Sequence, residues 1–105
     1  MKLPDKVKVG GTEYKIELTE PRDEETVGAT WKREARIQVH PGLAEDVQRT
    51  TFWHELFHAM YFDAGLDTID QPTEEQVVNL LSQRLVALMY DNPQLLETFT
   101  RGGEA

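Results

Sequence analysis

The hydrophobic pattern of this chain changes period once, at His40-Pro41, and the change divides the fold in two. Before it, apolar side chains recur at every second position: Val7 and Val9, then Tyr14, Ile16 and Leu18, then Val27, Ala29 and Trp31, then Ala35, Ile37 and Val39. A period of two belongs to half-buried strands. Gly10-Gly11 separates the first two runs, where a tight hairpin needs positive φ. Segment 19 to 26 is polar, contains Pro21 and reads as a loop. Pro41 closes the last run because proline cannot donate to a ladder.

Beyond Pro41 the period becomes helical. Leu43 to Ala64 holds neither Pro nor Gly, opens on Glu45 and Asp46, and is followed by Gly65, placed as a helix stop. Thr73 with Gln76 predicts a capping box for a second long helix ending near Asp91. Its apolar face reads Val77, Val78, Leu81, Leu85, Leu88 and Met89. Pro93 begins a short last helix through Phe99. The expectation is one α+β domain over residues 1–100. It has an N-terminal antiparallel sheet of three to four strands packed on two long helices, with a short C-terminal helix. Residues 101–105 are expected to be a disordered tail.

Residues 54 to 58 read His-Glu-Leu-Phe-His inside the first helix. Histidines four apart stand one turn above each other on one helix face, so both imidazoles reach one ion. Glu55 is rotated by about 100° from His54, which sets its carboxylate beside that ion, able to hold a water bound to it. From Phe52 to Phe62 apolar residues surround the helix axis almost completely, so the stretch is expected to be buried. A buried Glu beside two His needs compensation, and a cation supplies it. The bland alternative makes His54 and His58 hydrogen-bonded core residues and turns Glu55 to solvent. The chain has no cysteine, so any metal here must use His, Asp or Glu.

Tyr61 and Ala64 stand where a metzincin needs Gly and His, and Phe62 stands where a SprT-like protein needs His. The third ligand is therefore sought among carboxylates of the second helix, where Glu74 and Glu75 open the first turn. Glu75 is preferred because Asn79, one turn on, could accept a ring proton from a ligating histidine. Glu74 is the alternative, and acids in a first turn also complement the helix dipole. Tyr61 and His40 are candidates to stabilise an oxyanion. Strand Arg36 to Val39 is expected at a sheet edge, where an extended peptide could add by main-chain pairing.

The stretches RIQVHP, QRTTFWHELFHAMYFDAGL and EEQVVNLLSQRLVALMYDNPQLL together resemble the gluzincin-like metallopeptidases of the ImmA/IrrE type, in particular small phage-encoded members. The resemblance covers about residues 36–96, and HELFHA is its most specific part. It implies a small zincin-like domain, zinc bound by His54 and His58, Glu55 as catalytic acid/base, and a Glu of the second helix as third ligand. It also implies a protein substrate, such as a repressor. A non-catalytic, zinc-stabilised protein-binding module is the competing function, since a small domain gains folding free energy from a metal either way.

Charge narrows the partners. Eleven Lys and Arg against nineteen Asp and Glu give a net charge of -8, and residues 51–105 hold two basic and nine acidic groups. Such a surface repels phosphates, so neither nucleic acid nor an anionic membrane is an expected partner. No apolar run approaches the ~20 residues of a membrane span, and the N-terminus has no apolar leader, so a cytoplasmic location is expected.

Overall fold

The computed structural model describes residues 2–21 and 26–99. Four strands, β1 (Lys6–Val9), β2 (Thr12–Leu18), β3 (Gly28–Trp31) and β4 (Arg36–Val39), precede helices α1 (Glu45–Asp63) and α2 (Glu74–Asp91). A 3-10 turn (Leu66–Thr68) links the helices, and a 3-10 segment (Pro93–Phe99) stands where a short last helix was expected. The fold is α+β, one mixed sheet backed by helices. The tail expected over 101–105 and residues 22–25 of the expected loop lie outside the described residues. Among the described residues no helix is long and apolar enough to cross a membrane.

The sheet runs β1-β2-β4-β3. It is mixed, where an antiparallel sheet was expected, because β4 pairs parallel with β2 and antiparallel with β3. After β2 the chain passes to the far side of the sheet, forms β3, and returns β4 into the gap. Burial explains why β4 takes the centre: Ile37 and Val39 are completely buried and Gln38 nearly so. Arg36–Val39 is therefore an interior strand, and the expectation of a free edge there is overturned. The edge on that side is β3.

One face of the sheet packs on the helices. Val7, Val9, Tyr14, Ile16, Ile37 and Val39 meet Phe52, Leu56, Ala59 and Met60 of α1, with Leu88 of α2 and Leu95 completing the core. Burial pushes the Tyr14 phenol above its usual range, and the charge of Asp63 adds to the shift. Gly10 adopts φ 61°, which favours glycine in the turn, and a Cβ there would stand 2.2 Å from Asp63 Oδ1 and displace that carboxylate.

Only one face of α1 is buried, contrary to the expectation for Phe52 to Phe62. Phe57 is 42% exposed, and with Trp53 it lines an apolar groove of about 430 Å³ closed by Leu85, Met89 and Phe99. On α2 the capping box forms as read from Thr73 and Gln76. Val78, assigned to its apolar face, is 55% exposed; Leu81, Leu85 and Met89 are partly buried against the core.

One side chain covers sheet edge β1 at Lys8. Asn92, buried just past α2, accepts from Lys8 N–H at 2.8 Å and donates through Nδ2 to Lys8 C=O at 2.6 Å and to Leu88 C=O at 2.9 Å. It satisfies both outward backbone groups of Lys8 on the edge strand and adds a second hydrogen bond to a helix carbonyl that already accepts from Asn92 N–H. Asn92→Ala removes the partner of both Lys8 backbone groups, while Leu88 C=O keeps the backbone N–H of residue 92, and is expected to lower stability by about 1–3 kcal/mol. A urea midpoint unchanged from wild type would contradict this role.

Candidate functional site

The site begins as a local property of α1. Helical spacing brings His54 Nε2 to 3.2 Å from His58 Nε2, with the rings 4.8 Å apart between centroids. Two ring lone pairs facing each other so closely repel unless a proton or a cation lies between them. Zn–N bonds of about 2.05 Å spanning this 3.2 Å gap meet at about 103°, close to tetrahedral, so the pair fits zinc. Both histidines are exposed, and His58 stacks on Phe62 with ring centroids 6.4 Å apart.

Glu55 lies on the other side of this division. Thr51, Phe52, Glu55, Leu56, Ala59 and Met60 form the buried stripe of α1, and Glu55 is only 7% exposed. The arrangement inverts the bland alternative: the histidines face solvent and the carboxylate is inside. Glu55 Oε2 stands 3.9 Å from His54 Nε2. Its other oxygen, Oε1, accepts a 2.8 Å hydrogen bond from the Thr30 hydroxyl, which also lies 3.0 Å from the Glu55 carbonyl oxygen. A cleft of about 410 Å³ opens beside this pair, lined by Thr26, Val27, Gly28, Thr50, Thr51, His54 and Glu55.

The remaining expected residues are not drawn in. Glu74 and Glu75 are exposed in the first turn of α2, and no group of three His, Asp or Glu placed to hold a metal is present among the described residues. Asn79 does not meet a histidine; its Oδ1 accepts from Gln83 Nε2 at 3.4 Å. Tyr61 is half-buried on α1, without a hydrogen bond to His54, Glu55 or His58 among the described contacts. His40 braces its own loop: Nδ1 accepts from Gly42 N–H at 2.9 Å, and Nε2 lies 3.7 Å from Glu20.

Two residues of the site escape a reading by hydrophobic alternation. Register places Gly28 opposite Val39 and Thr30 opposite Ile37, so both share the inner face of β3, while Ala29 and Trp31 point outward. The outward Trp31 donates from Nε1 to Gln38 Oε1 at 2.8 Å. The usual pattern is inverted where the sheet meets a polar helix residue, a departure expected at functional positions. The one available signal was a small and a hydroxyl residue alternating with apolar ones in a four-residue strand.

No family model, curated protein or solved structure matches this chain.

Proposed function

We propose that this protein is a zinc-dependent metallopeptidase acting on a protein substrate. One observation carries the reading: a buried carboxylate, Glu55, lies against an exposed, converging histidine pair at the edge of a sheet. A purely structural site needs the two histidines but has no use for that carboxylate. The likeness of HELFHA and its surroundings to the ImmA/IrrE-type enzymes points the same way.

His54 and His58 would hold the ion, with Glu75 the candidate third ligand and Glu74 its alternative. Zinc there supplies Lewis acidity towards a carbonyl and acidifies water. Glu55 accepts a proton from the attacking water as its oxygen bonds to the peptide carbonyl carbon. The same carboxylate returns the proton to the amine nitrogen as the C–N bond breaks. β3 ends the sheet beside Glu55, so an extended substrate segment adds to that strand by main-chain hydrogen bonds. Recognition through backbone implies broad sequence tolerance.

The test is digestion of a mixed peptide library by the zinc-loaded chain, with new termini read by mass spectrometry. Cleavage at many sites, abolished by a chelator, is expected. No cleavage would sink the enzymatic reading and favour the zinc-stabilised binding module. Cleavage at a single tightly defined motif would remove the strand-addition account.

A further inference from the structure

We infer that the inner face of β3 sets the working geometry of Glu55, with Thr30 as a positioning residue and Gly28 as the clearance that keeps one carboxylate oxygen free. The inference rests on the peptidase reading and adds the device that aims its acid/base.

A glutamate has three side-chain torsions, and the rotation of its carboxylate is broad, so burial by itself does not fix where each oxygen points. In this protein the two oxygens are treated differently. Oε1 is tied to the neighbouring strand by the Thr30 hydroxyl at 2.8 Å. Although the carbonyl oxygen of Glu55 is also within reach, at 3.0 Å, the carboxylate oxygen is the closer and stronger acceptor. With Oε1 engaged, Oε2 is the oxygen turned toward His54, 3.9 Å from its Nε2.

Gly28 completes the device from two positions earlier on the same face. A Cβ on Gly28 would stand 3.1 Å from Glu55 Oε2, 3.2 Å from its Cγ and 2.6 Å from Thr51 Cγ2. Any side chain there would press on the free oxygen and on the helix wall behind it. Gly28 shows no positive φ, so the glycine answers to this close approach and not to backbone conformation. β3 thus anchors one oxygen and leaves room at the other, and it is also the strand a substrate segment would join.

The experiment compares Thr30→Val, which keeps the shape and removes the donor, with Thr30→Ser, which keeps the donor. On the best-cleaved library peptide, Thr30→Val in the zinc-loaded full chain is expected to lower kcat about 10- to 100-fold, the effect of one hydrogen bond to a charged group. KM should stay within about twofold and zinc per chain should be unchanged, because the substitution leaves the β3 backbone that would pair with a peptide intact, and the Thr30 hydroxyl bonds to Glu55 and not to a histidine. Thr30→Ser should stay close to wild type. A Thr30→Val protein with wild-type kcat, or a Thr30→Ser protein as impaired as Thr30→Val, would overturn the inference.

A second arm needs no activity. The Glu55 side-chain carboxyl carbon resonance should move in Thr30→Val and return in Thr30→Ser, with the rest of the amide spectrum retained. A resonance that does not move in Thr30→Val defeats the inference even if kcat falls. Should the wild-type chain cleave nothing, the peptidase reading fails by itself, and the resonance still decides whether Thr30 holds the carboxylate.

Discussion

Glu55→Gln is expected to retain the fold and about one zinc per chain while losing peptide hydrolysis by roughly 10²- to 10⁴-fold, the usual contribution of a positioned acid/base. Glutamine matches glutamate in shape, so the buried stripe of α1 keeps its packing. Its amide oxygen can still accept from Thr30, which leaves the NH2 group where Oε2 now faces His54. That group donates hydrogen bonds but cannot take a proton from water. kcat/KM on a library peptide, measured beside zinc content, checks the outcome. Loss of zinc would make Glu55 a ligand or a structural support, and unchanged turnover would remove it from the chemistry.

His54→Ala and His58→Ala should abolish zinc binding while leaving the metal-free protein nearly as stable as wild type. Both histidines are exposed, and His54 keeps 66% of its side-chain surface in solvent. Surface truncations of this kind usually change stability by no more than about 0.5 kcal/mol. Zinc at a thousandfold excess over its Kd adds about 4 kcal/mol to the folded state. In a domain this small that is a rise in Tm of more than about 10 °C. Wild type should show the rise and the two variants none, by calorimetry with and without zinc. Glu75→Ala in the same series decides the third ligand: a wild-type zinc response would remove Glu75 from the set and bring Glu74→Ala into question. A wild-type protein that takes up no zinc would make the histidine pair a surface feature.

These substitutions act on different layers of the molecule. His54 and His58 are separable from the fold because they stand outside the core. Glu55 is bound to it, since its neighbours on α1 and β3 are also the seam between helix and sheet. The proposed chemistry and the packing therefore meet at one residue and one edge strand.

The sequence by itself determined what is local. The hairpin at Gly10-Gly11, the extent of α1 and its stop at Gly65, the Thr73–Gln76 capping box and the approach of His54 to His58 all depend on residues a few positions apart. Backbone sterics and helical periodicity fix those relations without reference to the rest of the chain. Only the tertiary structure decided the rest: that β4 and not β3 is central, that β2 and β4 run parallel, and that Gly28 and Thr30 turn inward. It also decided that Glu55 is buried while both histidines are exposed. The physical reason is that strand order and facing are set by non-local pairing. In a four-residue strand a register change of one residue exchanges the two faces. The apolar Ala29 and Trp31 suggested the opposite facing of β3; the register with β4 turns Gly28 and Thr30 inward, where they meet Glu55.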